Sequence, residues 1–268
     1  MPYGDAAPDA SRSAYRERNS TSDRTLEILG LFGPDRLSIT ASELAGEFGV
    51  ARSTVYRYLQ TLTQNGYLEE DPHGGFRLGL RVFELARLAR QSYGLSEVVR
   101  PVLSELAQTS GETALLTRRS GSQIVCLERE ETRAHHVRLS YERGSVLSPN
   151  AGASAFVLLA WEDPDVVSDL LASVPLPKYT QATLTSPREI IEHFAVVRKQ
   201  GYAVTRGELD PDVIGIAAPI RDGDSAVVAG LSVVAVERRV PTARVRELID
   251  QVRKSADVVS DTLALVAN

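Results

Sequence analysis

The feature that most constrains this chain is a change of hydrophobic period near Asn65 and Gly66. Before that point apolar residues recur every three or four positions, and after it they alternate with polar ones. The first pattern predicts amphipathic helices and the second predicts short, half-buried strands. Residues 21–79 therefore predict a small domain of helices that ends in a β-hairpin.

Three helices are predicted in this domain. The first lies in "TSDRTLEILGLF", and the second opens on a capping box of Thr40 and Glu43 and stops at Gly49. The third runs from about residue 51 to 64, and its predicted core stripe comprises Val55, Tyr58, Leu59 and Leu62. The turn-rich "DPHGG" then separates the two strands of the hairpin. This order is the layout of a winged helix-turn-helix.

The opening turns of the third helix are more basic and more hydroxylated than a helix cap requires. Residues 49–62 contain two arginines and no acid, although the chain has a net charge of −5. Because helix N-termini favour anions, Arg57 and the hydroxyls indicate phosphate contacts, whereas Arg52 and Tyr56 indicate base contacts. A solvated face with a Ser/Thr cap is the alternative. The candidate DNA-binding residues are Thr40, Ala51, Arg52, Ser53, Thr54, Tyr56, Arg57 and His73.

Residues 80–94, "LRVFELARLARQSYG", are strongly helical and have a broad apolar face. Little of the winged domain is left for this linker helix to cover, so a second copy of the chain is the expected partner. A homodimer would place two recognition helices on a pseudo-palindromic operator. Packing within the same chain is the alternative. Residues 1–20 contain no apolar run and are predicted to be a disordered tail, not a signal peptide.

Residues 95–268 mix strand and helix patterns. "ETALLTRR", "SQIVCLERE" and "HHVRLSYE" are predicted strands, and helical segments follow them. "YAVTRGE", "VIGIAAPIRD" and "AVVAGLSVVAV" are predicted strands before a long C-terminal helix at about residues 242–266. Two blocks of strands around helices predict an α+β domain with a mainly antiparallel sheet and helices on its faces.

No catalytic residue, metal site or cofactor is predicted. The single cysteine, Cys126, excludes an intrachain disulfide and a multi-cysteine zinc site. His135 and His136 are adjacent on a predicted strand and would point to opposite faces. No phosphate-binding glycine loop occurs, and no serine or cysteine has an assignable base partner. No apolar run is long enough to span a membrane, so a cytoplasmic protein is expected.

Two segments rich in small residues predict a binding pocket. "GSVLSPNAGASA" places them where a loop enters a helix, so backbone N–H groups would be accessible to a carboxylate. "GELDPDVIGIAAP" places small residues in a strand, which leaves room beside the sheet. Close helix–sheet packing without a ligand is the alternative.

From about Asp23 onward the chain resembles the IclR-type bacterial transcriptional regulators. "ELAGEFGVARSTVYRYLQTLTQNGYLEEDPHGGFRLG" is similar to the winged-helix pattern of that family, and "GYAVTRGELDPDVIGIAAPIRD" followed by "AGLSV" resembles its signature region. The resemblance implies a GAF-like effector-binding domain, a dimer or tetramer, and a small organic acid bound between the helix start and the signature strands. The candidate effector-binding residues are Leu147, Asn150, Ala153, Ser154, Glu208, Gly215, Ile216 and Ser232.

The chain departs from the family pattern at two places. Ala155 and Phe156 stand where members commonly have Gly-Lys, which predicts a less polar pocket or lid and either a more apolar or aromatic ligand or altered binding altogether. Family members also often have Pro where this chain has Ala51, a difference that is expected to change only the helix start. The resemblance implies a ligand-responsive regulator of small-molecule metabolism genes, with effector binding moving the winged domains through the helix at residues 80–93. The alternative is a sensor or enzyme-like module whose winged helix contacts only proteins.

Overall fold

The structure is a computed structural model, and it describes residues 21–92, 95–132 and 142–266. The chain divides into two compact units between Ser92 and Tyr93. The N-terminal tail and the two adjacent histidines, His135 and His136, lie outside the described residues.

The described part of the first unit has the winged helix-turn-helix fold that the sequence predicts. Its elements are α1 (residues 21–30), α2 (Ala41–Phe48), α3 (Arg52–Gln64), β1 (Leu68–Glu70), β2 (Phe76–Leu78) and α4 (Leu80–Ser92). The strands β1 and β2 pair antiparallel, and an isolated bridge joins Ile39 to Phe76. The tight turn between α2 and α3 starts at Gly49, whose φ of 63° is left-handed.

The four predicted stripe residues of α3 are all buried in the core of this unit. They pack with Ile28, Ile39, Leu44 and Leu68 from the surrounding elements. Each such side chain contributes roughly 1.5–3 kcal/mol by leaving water, so this stripe fixes which face of α3 remains outside.

The second unit is built on one antiparallel sheet with helices on both faces. The strands are β3 (Thr113–Ser120), β4 (Gln123–Glu130), β5 (Val146–Leu147), β6 (Ala203–Arg206), β7 (Val213–Arg221) and β8 (Val227–Val236). They lie in the sheet in the order β5-β4-β3-β8-β7-β6. The helices are α5 (Leu95–Ser110), α6 (Ala153–Leu159), α7 (Pro164–Ser173), α8 (Pro187–Gln200) and α9 (Thr242–Val266). Most of the predicted strand "HHVRLSYE" lies outside the described residues.

Alternation along the central strands sends side chains to two separate cores. On β3, Leu115 packs on the face covered by α6, α7 and α8, whereas Leu116 packs on the face covered by α5 and α9. Cys126 lies in the first of these cores and is fully buried, as its apolar run predicts. A small cavity lies on the α6 side of the sheet.

Candidate functional sites

The outer face of α3 carries the polar residues that the sequence analysis selected. Arg52, Ser53, Tyr56 and Arg57 are exposed, and Thr54 is half-buried. Ala51 is the N-cap and makes no side-chain cap, so it leaves the N–H groups of the first turn uncovered by its side chain. The described part of α3 therefore presents hydroxyls, guanidiniums and backbone donors on one face, all of which suit phosphate oxygens.

The two arginines of α3 differ in freedom. The guanidinium of Arg52 donates a hydrogen bond to the Ser42 hydroxyl on α2, which orients it across the turn. The guanidinium of Arg57 has no hydrogen bond or ion pair with another described residue. Arg57 can therefore follow a phosphate, whereas Arg52 is held in one direction.

The other two DNA-binding candidates, Thr40 and His73, lie at the start of α2 and in the hairpin turn. The Thr40 hydroxyl accepts the Glu43 N–H at 3.2 Å and caps α2, as the capping box predicts. His73 is exposed in the hairpin turn, and its backbone N–H donates to the Asp71 carboxylate at 2.8 Å. The side chain of His73 is thus accessible, but a carboxylate lies in the same turn.

A small cavity in the second unit collects most of the predicted effector-binding residues. It leaves about 30 Å³ of free space, which holds no more than a few water molecules. Ligand pockets commonly enclose about 300–1,000 Å³, so this conformation is closed. Six of the eight candidates line it, namely Leu147, Ala153, Ser154, Glu208, Gly215 and Ser232.

The backbone donors at the start of α6 are occupied by side chains of this chain. The Gly152 N–H donates to Glu208 Oε2 at 2.9 Å, and the Ala153 N–H donates to Thr205 Oγ1 at 3.1 Å. Burial raises the pKa of Glu208 to about 7, and the Gly152 N–H offsets this in part. An entering carboxylate would therefore meet Glu208 at the donors that the sequence analysis assigned to the ligand.

A second polar pair closes the base of the cavity. The Ser154 hydroxyl on α6 donates to the Ser232 hydroxyl on β8 at 2.9 Å, and both residues are buried. Gly215 on β7 leaves room for the hydrogen-bonded pair of Ala153 and Thr205, because a Cβ there would lie 3.0 Å from Thr205 Oγ1 and 3.5 Å from the Ala153 Cβ.

Two candidates do not line the cavity. The Asn150 side-chain amide donates to the carbonyls of Pro177 and Leu184, at 3.1 and 2.6 Å, and so fastens a loop. Ile216 packs in the core on the opposite face of the sheet, because it neighbours Gly215 in a strand.

Phe156 does not line the cavity either. Its ring packs at 5.0 Å from the His193 ring and 5.7 Å from the Phe194 ring, both on α8. The Ala155-Phe156 departure therefore fills the core between two helices, and the expectation that the phenyl ring directly makes the cavity less polar is wrong.

Several residues that line the cavity are not among those predicted from the sequence. Thr205 had a signal, because it lies two positions after the apolar Ala203 along β6 and therefore points to the same, buried face. Hydrophobic periodicity gives no such signal for the other unpredicted residues that line the cavity, which are Leu115, Gly152, Leu209, Asp210, Val213 and Val234.

Two broader features bear on the class of protein. Within residues 21–92, 95–132 and 142–266, no group of three or more His, Cys, Asp and Glu side chains is placed to hold a metal ion. In the same residues, every helix is too short or too polar to cross a membrane.

Comparison with known proteins identifies both units. The family model for the IclR helix-turn-helix domain matches residues 21–72. The family model for the C-terminal domain of the bacterial transcriptional regulator IclR matches residues 88–261. The HTH-type transcriptional regulator BhcR of Paracoccus denitrificans is 32% identical over 90% of this chain and 86% of its own.

Two solved structures have the same fold over nearly the whole chain. A putative IclR transcriptional regulator from Silicibacter is 30% identical, with a TM-score of 0.81, over 91% of this chain and 96% of its own. An IclR homologue from Microbacterium hydrocarbonoxydans, solved in complex with 4-hydroxybenzoate, is 27% identical, with a TM-score of 0.77, over 91% of this chain and 99% of its own.

Proposed function

This chain belongs to the IclR family of bacterial transcriptional regulators, and we propose that it binds a pseudo-palindromic operator through α3 under the control of a small carboxylic acid. The observation that carries the DNA part is the exposed face of α3, where Arg57 is free to pair with phosphate while the apolar stripe holds the helix in the core. We assign base contacts to Arg52 and Tyr56, and phosphate contacts to the remaining α3 candidates and Thr40.

The carboxylic acid is proposed to bind in the cavity at the start of α6. Two observations support this proposal. Six candidate residues line the cavity, and a relative of similar fold was solved in complex with 4-hydroxybenzoate. The acid would have to open the closed cavity, and it would lie against Glu208, which accepts the Gly152 N–H. We propose that the second unit binds this ligand without converting it.

We propose a homodimer that uses α4. Leu80 and Phe83, three positions apart on this helix, are 71% and 72% exposed, and Leu85 and Leu88 are also exposed. An apolar patch of this kind marks an interface, and a second α4 is the partner whose chemistry matches it. Two chains are also what a pseudo-palindromic operator requires, and tetramers would be pairs of such dimers. Because the proposed operator would lie on the chromosome, we propose a cytoplasmic location.

The proposal is tested by fluorescence anisotropy of the purified chain on labelled DNA from upstream of its own gene. Titrations are run at several salt concentrations, with random DNA as the control and with a panel of aliphatic and aromatic acids. We expect selective, salt-sensitive binding that one class of acid shifts. An absence of salt-sensitive affinity for this DNA and for genomic fragments would contradict the DNA part and favour a module that contacts only proteins.

A further inference from the structure

The cavity carries carboxyl groups and no basic side chain among the described residues that line it. Glu208 and Asp210 are its ionisable residues, and the other polar side chains are the hydroxyls of Ser154, Thr205 and Ser232. Carboxylates held together away from water repel one another, because neither is screened. An effector carboxylate in this cavity therefore needs positive charge that these side chains do not supply.

Glu208 is the carboxyl group that occupies a backbone donor of this cavity. Its Oε2 already accepts the Gly152 N–H at 2.9 Å, and the cavity has only about 30 Å³ to spare. Two carboxyl groups at hydrogen-bond distance cannot both stay ionised, so they share one proton. Burial, which raises the pKa of Glu208 to about 7, makes this protonation inexpensive near neutral pH.

Apart from Asp210, the charged groups on neighbouring elements lie outside this cavity. Asp210 lies on the same loop and lines the same cavity. Arg206 pairs with Glu237, and both line a separate surface pocket together with Lys178. The described residues of α6, Ala153–Leu159, contain no ionisable side chain, and neither do the cavity-lining residues of β3, β5 and β8.

We infer that the effector carboxylate binds together with one proton, which lies between an effector oxygen and a carboxyl oxygen of Glu208. In this step the Glu208 carboxylate, one proton from solvent and the effector carboxylate combine. The product is a neutral Glu208 whose O–H donates to the ionised effector. No bond to carbon forms or breaks and no electron is transferred. The inference rests on the proposed function, because it requires that the effector of this cavity is a carboxylic acid.

Proton uptake makes effector affinity depend on pH in a defined direction. Above the pKa of Glu208, free protein must acquire the proton before it can bind, so the Kd for an acid should rise about tenfold for each unit of pH. Below that pKa the carboxyl is already protonated and the Kd should level off, as long as the acid itself stays ionised.

Two matched variants assign the proton. Glu208→Gln keeps an oxygen for the Gly152 N–H and a permanent N–H donor for the effector, so its affinity should not change with pH. Asp210→Asn removes the same charge from the same loop and cavity, and it should keep the slope of the wild type. A slope lost in Asp210→Asn and kept in Glu208→Gln would overturn the assignment to Glu208.

The test is isothermal titration calorimetry of the full chain with glyoxylate, pyruvate, benzoate and 4-hydroxybenzoate from about pH 6 to about pH 8. Each titration is repeated in two buffers of different ionisation enthalpy, which counts the protons taken up. Benzamide and 4-hydroxybenzamide are the neutral controls, and we expect uptake of about one proton for an acid and none for an amide.

The outcomes separate this inference from the proposed function. An acid that binds with a flat pH profile and no proton uptake overturns the inference and leaves an acid-responsive regulator intact. If no acid binds the wild type or Glu208→Gln at any pH, while the amides do, both the carboxylate class and this inference fail.

Discussion

Arg57 illustrates how one exposed side chain is expected to act on every DNA sequence alike. Its guanidinium has no partner among the described residues, so its contribution to binding should come from phosphate. Arg57→Ala should weaken binding to operator and random DNA equally and reduce the log–log salt slope by about 0.9. Anisotropy titrations at several salt concentrations measure both. Arg100→Ala, which removes an exposed arginine from α5, is the control and should leave the slope unchanged.

Arg52 is expected to act on sequence preference instead. The Ser42 hydroxyl holds its guanidinium in one direction, and a fixed guanidinium can read a guanine edge. Arg52→Ala should therefore cost about 1–3 kcal/mol on the operator and much less on random DNA. Ser42→Ala keeps the guanidinium but frees it, so it should lose only part of this preference. If both arginine variants kept wild-type operator affinity, the placement of α3 on DNA would be wrong.

Glu208 also links the stability of the second unit to pH. Its folded-state pKa of about 7 lies above the ordinary value of 4.5, so the folded chain binds the proton more tightly than the unfolded chain. Stability from this group is therefore highest below about pH 4.5 and is lost as pH rises through about 7. Glu208→Gln should raise the free energy of unfolding at neutral pH by on the order of 1–3 kcal/mol.

Urea unfolding at a series of pH values measures this difference. The gap between Glu208→Gln and wild type should grow between acidic and neutral pH, whereas Glu97→Gln, at an exposed glutamate on α5, should track the wild type. A constant gap at all pH values would mean that the Glu208 carboxyl does not titrate differently in the folded chain.

Helix α4 carries exposed apolar side chains that suit an interface with a partner. Leu80 and Phe83 are 71% and 72% exposed, so changing them should not unfold the chain. If the chain forms the proposed dimer, the double variant Leu80→Asp/Phe83→Asp should be a monomer in sedimentation velocity and should lose tight operator binding. Val166→Asp, at an exposed apolar residue of α7, should keep the dimer. An unchanged mass for the double variant would exclude α4 as the interface.

Elements also differ in how far local sequence defines them. The boundaries of α2 and α3 follow from the Thr40 capping box, Gly49 and a buried stripe, all of which act within one turn of helix. Periodicity in β7 correctly indicates a strand, but it could not tell which neighbours face the cavity. That is why Gly215 lines the cavity while Ile216 packs on the other side of the sheet.

For the whole molecule, regulation means that effector and operator affinities are coupled. Linkage requires that the acid change operator affinity by the same factor by which operator DNA changes the affinity for the acid. We expect a factor between about 5 and about 150, measured by titrating the effector in the presence and absence of saturating operator DNA. Unequal factors would mean that a third species, such as a change of oligomeric state, takes part.

The sequence by itself determined the winged helix, the α+β class of the second unit and the exposed face of α3. These depend on periodicity and caps, which operate between residues three or four positions apart. The construction of the candidate effector site depends on the tertiary structure, because its contacts join distant segments. Gly152 meets Glu208 across 56 positions, and Ser154 meets Ser232 across 78. Folding also sent Phe156 into the α6–α8 core, since burying its ring against two aromatic neighbours outweighs any local preference.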